Sequence, residues 1–488
     1  MKIFNTISKK KEILKPRALK KLNVFVCGPT VYDFSHIGHA RTYIAFDVIV
    51  RYLRAKKFDV FYLQNITDID DKIIKRAAET QTSPKTLAKR FEQEYLRDMK
   101  ALRILSVNKY ARATDYIPDI ISQVQRLLQK DYAYVIPEDG IYYDISAFKE
   151  YGKLSGRTTQ QAEDSVSRID DSVKKRNKGD FALWKLAPYP RRKSGGSGFS
   201  EPSWPSPWGQ GRPGWHIEDT AITEKHFGAQ YDIHGGARDL IFPHHEAEIA
   251  QMEGISGKKP LVRYWMHTGF LTIQGEKMSK SLGNFITIRD FLERHSARLL
   301  RFFVLKTHYR SPIDYSQELL LQTEQELARI DEFVQKLKVL KSAPATSKNI
   351  KLVKEARKAF FQALEDDVNT PKAIAALFEL VRRGNILLSQ LALNKDDAKD
   401  ILALLKEIDE VFSFIFWQER ETRVPKEIIS LVQRREKYRK EKAWKKADEV
   451  RALISGKGWQ VEDSDKGPKL KKSVILSRKS PALDSMRS

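Results

Sequence analysis

The sequence is nearly without cysteine: one residue, Cys27, in 488. That excludes a disulfide within the chain and suits a reducing compartment. Long apolar runs are also missing, and none approaches the roughly 18 residues that span a bilayer. The opening Met1-Lys2-Ile3-Phe4-Asn5-Thr6 lacks the apolar core of a secretory signal. A soluble, cytoplasmic protein is the expectation. Two phosphate-binding signatures are absent too. No Gly-x-Gly-x-x-Gly follows the first predicted strand, and no Gly-x-x-x-x-Gly-Lys-Ser/Thr occurs, so a plain dinucleotide or P-loop site is disfavoured. Acidic residues are in deficit, 63 against 87 Lys and Arg, for a net charge of +24. Such a balance reads either as steering toward a polyanion or as a solvated basic surface.

What is present is concentrated in a few stretches. Val24-Phe25-Val26 predicts a short buried strand, which leaves through Cys27-Gly28-Pro29-Thr30 into His36-Ile37-Gly38-His39. Ile37, Ala40, Ile44, Val48 and Tyr52 then follow at helical spacing. A second strand at 58–64 completes a right-handed βαβ unit. A strand-to-helix turn in a parallel sheet favours phosphate, through free N–H groups and the helix dipole. Thr67 or Asp68 is the expected cap of the next helix.

From about 115 to 200 short strands and a charged stretch at 158–180 read as an insertion, with Asp180 to Lys185 returning to the core and a Gly/Ser loop at 194–198. The segment 201–250 gathers Trp215, His216, Asp219, Asp232, His234, Gly235, Gly236, His244, His245 and Glu248. Without counting His226, six of the ten histidines lie here or in the first turn, and His244 and Glu248, four apart, share one face of a helix. They read as metal ligands or as hydrogen-bonded structural residues. Lys277 and Lys280, three apart among small residues, read as a triphosphate clamp or as a basic surface loop. Helices dominate beyond 285, with Thr370 as cap before Pro371 and a linker at 342–350. Residues 434–451 carry nine Lys/Arg around Tyr438 and Trp444, a solvated helix or an RNA-contacting one.

With His36-Ile37-Gly38-His39 and Lys277-Met278-Ser279-Lys280-Ser281, the chain resembles the class I aminoacyl-tRNA synthetases. Cys27 to Arg41, Thr67 to Lys72, Gly214 to Glu218, Asp232 to Glu248 and the basic tail resemble the cysteinyl-tRNA synthetase family, from about residue 3 to 472. The resemblance implies an α/β fold: a Rossmann-type parallel-sheet catalytic domain with an insertion, then a helical bundle and a C-terminal anticodon-binding region. The expected bounds are 1–115 and 205–285 for the catalytic halves, 116–204 for the insertion and 286–341 for a stem-contact region. A DALR-like bundle follows at 350–415, a small basic module at 422–475 and a disordered tail at 476–488.

The resemblance further implies that L-cysteine is activated with ATP and transferred to tRNA(Cys) by a monomer. His36, His39, Lys277 and Lys280 are then catalytic, while Gly28, Thr30, Gly38, Thr67, Trp215, Asp232, Gly235, Gly236 and Lys280 bind cysteine or ATP. Mg²⁺ accompanies ATP. One Zn²⁺ is implied on Cys27, Asp219, His244 and Glu248, with Asp219 standing where the family has a second cysteine. A cysteine ligase acting on an amino sugar, or a non-catalytic RNA-binding paralogue, leaves the helical C-terminal half or the intact motifs unexplained.

Overall fold

Apolar strand sequences place the core. Val24, Phe25 and Val26 are fully buried, the pattern of a strand covered on both faces. In the computed structural model, which describes residues 1–157, 174–187, 201–214, 216–278, 284–340, 350–417, 425–457, 459–462 and 467–472, Lys21–Val26 is the middle strand of a five-stranded parallel sheet. The spatial order is Val262–Thr268, Tyr231–Ala237, Lys21–Val26, Asp59–Ile66, Lys109–Arg112. Val26 sits between Gly235 on one side and Gln64 on the other.

Helix α1 (Ile37–Ala55) crosses between the first two parallel strands. It buries the apolar face read from its spacing, and Arg41, Phe46 and Asp47 besides. A helix buried nearly all round must satisfy its polar residues internally. Arg41 therefore donates Nε to the carbonyl of Gly269 at 2.9 Å, and Asp47 pairs with Arg301. Helices α2 (Asp71–Glu79) and α3 (Pro84–Ala101) follow. The cap of α2 is Asp70, whose carboxylate accepts from Lys72 N at 2.7 Å, and not Thr67 or Asp68. Asp68 is occupied with Thr114, at 3.0 Å to its N and 2.6 Å to its Oγ1. Likewise Asn369 rather than Thr370 caps Thr370–Ser389, accepting from Lys372 N at 3.0 Å.

The insertion forms its own antiparallel sheet, in order Ala133–Ile136, Gly140–Tyr143, Phe181–Leu186, Gly209–Pro213, Trp204–Ser206. Phe181–Leu186 thus pairs with the insertion and not with the parallel sheet. The sheet reaches Pro213, so a boundary at 204/205 divides it too early. One apolar cluster nevertheless joins Phe25 and Leu63 of the parallel sheet to Ile141, Leu183 and Trp184. The linker read at 342–350, apart from its last residue, the loop at 194–198 and the tail from 476 lie outside the described residues.

The chain divides into two compact units, one of residues 1–289 with 297–416 and one of 290–296 with 417–488. In the first, a helical array built from Ala297–Leu305, Gln317–Lys338, Ile350–Glu365, Thr370–Ser389 and Lys395–Phe412 follows the sheet. In the second, helices Lys426–Lys440 and Trp444–Gly456 pack with a hairpin of Trp459–Glu462 and Lys469–Lys472 around Ile428, Val450, Ile454 and Trp459. Among the described residues no helix is long and apolar enough to cross a membrane.

Candidate active site and metal centre

Strand order reverses between Lys21–Val26 and Tyr231–Ala237, and the crevice beyond their carboxyl ends is where such sheets bind ligands. Cys27 N donates to the Gly235 carbonyl at 3.1 Å across that crevice. Gly28 N donates to Asn65 Oδ1 at 2.5 Å, and a Cβ on Gly28 would lie 1.8 Å from the Asn65 carbonyl oxygen. Only glycine fits there. Thr30 and Thr67 form a parallel bridge, with Thr67 N donating to Pro29 O at 3.2 Å. Gly28, Thr30 and Thr67 therefore share one wall of the crevice, while Gly235 and Gly236 end the neighbouring strand.

His36 caps α1 and accepts Gly38 N on Nδ1 at 3.1 Å, while His39 accepts His36 N on its own Nδ1 at 3.2 Å. A neutral imidazole that accepts on one nitrogen carries its proton on the other. Both rings are thus Nε2–H donors, stacked 3.8 Å apart. Burial holds the His39 pKa down at about 4, so its part is that of a neutral donor. A Cβ on Gly38 would lie 3.0 Å from Met278 Cε and 2.8 Å from the His36 ring, so this glycine admits the lysine-loop flank.

At the other end of the turn Cys27 is buried in a cluster the sequence pattern shows only in part. His244 Nε2 lies 2.9 Å from Asp219 Oδ2 and 2.9 Å from Glu248 Oε1. Cys27 Sγ lies 3.9 Å from Glu248 Oε1, 3.1 Å from His245 Nε2 and 3.2 Å from His234 Nε2. His244 precedes the helix Glu246–Ser256 instead of lying on it, but still meets Glu248. One donor atom each from Cys27, His244, His245 and Glu248 fall within 4.8 Å of one another. His245 is an addition to the ligands expected. It also faces His267, Nδ1 to Nε2 at 2.8 Å, and His267 faces Thr6 Oγ1 at 2.7 Å. His234 stacks on Trp265 and meets Tyr231 OH at 2.6 Å. These histidines have no helical or strand period among them; their clustering in sequence was the only signal.

Burial, then the charges of Glu248 and Asp219, push the Cys27 thiol up. Burial also raises Glu248 to about 7 and, with Asp219 beside it, Glu218 to about 8. Burial works against a charged His244, but Glu248, Cys27 and the contact with Asp219 outweigh it and raise its pKa. Burial lowers His216, His234 and His245, which stay neutral. The corner concentrates acidic groups where water cannot solvate their charged forms, and Asp219 Oδ1 is buried without a hydrogen-bond partner. One cysteine sulfur, two imidazoles and one carboxylate converge closely enough to hold a metal ion, with Asp219 beside His244.

Asp232 does not reach this crevice. Its carboxylate accepts Arg17 N at 2.8 Å and Asn23 N at 2.9 Å, at the amino end of its strand, so it braces the far edge of the sheet instead of binding nucleotide. Trp215 and Lys280 lie outside the described residues. So does the side chain of Lys277, whose backbone pairs with Thr272.

A parallel sheet whose strand order reverses, a histidine turn heading a helix and a buried acidic corner at the switch point form a crevice of the kind in which open α/β sheets bind ligands. The chain matches the model of the tRNA synthetases class I (C) catalytic domain over residues 13–325 and that of the DALR domain over 359–416, and it belongs to the class I (C) tRNA synthetase family. The particular relatives are named cysteine–tRNA ligase. That of Thermococcus gammatolerans is 44% identical over 481 residues, 96% of this chain and 98% of the relative. That of Carboxydothermus hydrogenoformans is 43% identical over 480 residues, 97% and 100% of the two chains. Methionyl-tRNA synthetase of Mycobacterium tuberculosis, solved with methionyl-adenylate, shares the fold with a TM-score of 0.57 at 16% identity, over 81% of this chain and 90% of that one.

Proposed function

We propose that the chain activates L-cysteine with ATP, giving cysteinyl-adenylate and pyrophosphate, and transfers the cysteinyl group to the 3′ end of tRNA(Cys). The observation that carries this is the two-ended turn: phosphate-type donors His36 and His39 at the head of α1, and the Cys27 corner one strand-end away. Adenylate formation asks for positioning and charge stabilisation more than for covalent work by the protein. The Nε2–H groups of His36 and His39 donate to phosphate oxygens without bringing charge, and Lys277 and Lys280 supply the cations. Gly28, Thr30, Gly38, Thr67, Trp215, Gly235 and Gly236 shape the cysteine and ATP pockets. Mg²⁺ enters with ATP.

Cys27, Asp219, His244 and Glu248 are the residues that would hold Zn²⁺, with His245 in reach of the same thiolate. Zinc there supplies preference for a thiolate over the neutral hydroxyl of serine, a distinction that apolar pockets make poorly. Asp219 in place of a sulfur ligand keeps the ligand charge and makes the corner harder and more accepting of other divalent ions. The exposed Trp444 and the cationic groups over Tyr438 in the second unit suit tRNA, which is recognised by stacking and phosphate contact. A monomeric, cytoplasmic enzyme is part of the same reading. Cysteine-dependent ATP–pyrophosphate exchange on metal-defined protein, with serine as competitor, tests it. Exchange that requires cysteine supports the assignment, and equal rates with serine would sink it.

A further inference from the structure

Residues 285–288 run as a short strap along the histidine turn. Ile37 N donates to Ile286 O at 3.1 Å, Ile288 N donates to Ser35 O at 2.8 Å, and His36 forms an antiparallel bridge with Thr287. The Phe285 ring meets His36 edge-on at 5.2 Å. The next residue fastens the strap. Arg289 lays its guanidinium over Phe34 at 4.8 Å, pairs with Glu94, and brings Nε to 3.8 Å from Asp98 Oδ1. Glu94 and Asp98 are one helical turn apart on α3, and Phe34 meets Phe91 of the same helix edge-on at 5.2 Å.

An exposed ion pair would contribute little. Here the carboxylates are 15% and 5% exposed; burial pushes Asp98 up to about 7, so Glu94 is the direct partner of the guanidinium and Asp98 lines the socket beside it. Stacking on Phe34 asks in addition for a planar cation, which lysine does not provide. Arg289 is therefore built into a socket whose aromatic wall belongs to the turn just before His36.

We propose that Arg289 is a positioning residue for adenylate formation: by clamping the 285–288 strap between Phe34 and the α3 carboxylates it fixes the His36 and His39 rings as paired Nε2–H donors. The inference rests on the cysteine-activating reading and does not involve the metal corner. It separates turnover from substrate binding.

The test compares Arg289→Ala and Arg289→Lys with the wild type in cysteine-dependent exchange, with KM measured for each substrate. Arg289→Ala is expected to lower kcat at least tenfold with KM for cysteine within twofold, and Arg289→Lys to recover only part of the loss. Histidine-selective ¹⁵N NMR on the intact chain gives a readout independent of activity: His36 and His39 are Nε2–H in the wild type and mix tautomers in Arg289→Ala. An alanine variant with wild-type kcat and unchanged histidine signals overturns the proposal. So does a loss of kcat and cysteine affinity together that leaves both tautomers in place. A wild type that fails to exchange sinks the functional reading, and the NMR comparison still decides the part of Arg289.

Discussion

Asp47→Asn should be among the costliest single-atom changes available in this chain. Asp47 and Arg301 are both 0% exposed and paired at 2.5 Å, joining α1 to the helix Ala297–Leu305. Arg301 spends its other donors on carbonyls, Nε to Phe412 at 2.6 Å and Nη1 to Leu102 at 3.2 Å. Asp47 Oδ1 accepts Leu105 N at 3.2 Å and Ser106 N at 3.1 Å, bonds an asparagine oxygen can keep. What the variant removes is the counter-charge of a fully buried guanidinium. Losing one partner of such a pair costs about 3–5 kcal/mol. With a urea dependence of about 3 kcal/mol/M that is a midpoint lowered by roughly 1–1.7 M. Tryptophan-monitored urea unfolding measures it, and a shift below about 0.3 M, within the error of such extrapolations, would refute the argument. Asp47→Leu with Arg301→Met should not restore stability, because it leaves Leu105 N, Ser106 N and the Phe412 and Leu102 carbonyls without their partners. Burial works to raise the Asp47 pKa, but Arg301 and Arg51 hold it below the usual range. A depressed carboxylate contributes stability that is present above its unfolded pKa and lost as pH falls through the folded one. The difference between wild type and Asp47→Asn should accordingly persist at pH 7 and narrow below about pH 4.

His39, with its pKa near 4, does not titrate at neutral pH, so the ratio of wild-type to His39→Gln exchange rates should stay constant between about pH 5.5 and 8. A ratio that changes with an apparent pKa near 6.5 would mean a charged imidazole. Asp219→Ala should lower zinc stoichiometry by elemental analysis, and Asp219→Cys should slow zinc loss to a chelator at least tenfold; unchanged metal in both would remove Asp219 from the ligands. Deleting residues 422–488 should weaken tRNA charging while pyrophosphate exchange persists, and loss of exchange would show that the catalytic unit needs that module.

The sequence announced the elements whose patterns are local. The first strand, the turn and α1 stand where spacing placed them, because apolar period, glycine and cap lie within a few residues. Errors arose where tertiary partners decide. Thr67, Asp68 and Asp70 are all capable caps; Thr114 claims Asp68, and that contact is 46 residues away. Trp204 to Pro213 carries no strand alternation of its own; pairing of Gly209–Pro213 with Phe181–Leu186, and of Trp204–Ser206 with Gly209–Pro213, makes it sheet. Asp232 stands two residues before His234 in a stretch dense with chemistry, but a strand has two ends, and sequence does not tell which one faces the ligand.

The metal corner makes the same point in reverse. Spacing singled out His244 and Glu248, while Cys27, 217 residues before His244, joined them only through resemblance. The parallel pairing of Lys21–Val26 with Tyr231–Ala237 is what brings them together, since it sets Cys27 beside Gly235 at the point where strand order reverses. One strand-end therefore serves two chemistries. Backbone N–H groups past Cys27 organise the two imidazoles as neutral donors, and the thiol itself turns into the acidic corner. That division makes a falsifiable demand: substitutions in the corner should alter the choice between cysteine and serine, while substitutions at Arg289 should alter turnover for whichever amino acid is bound.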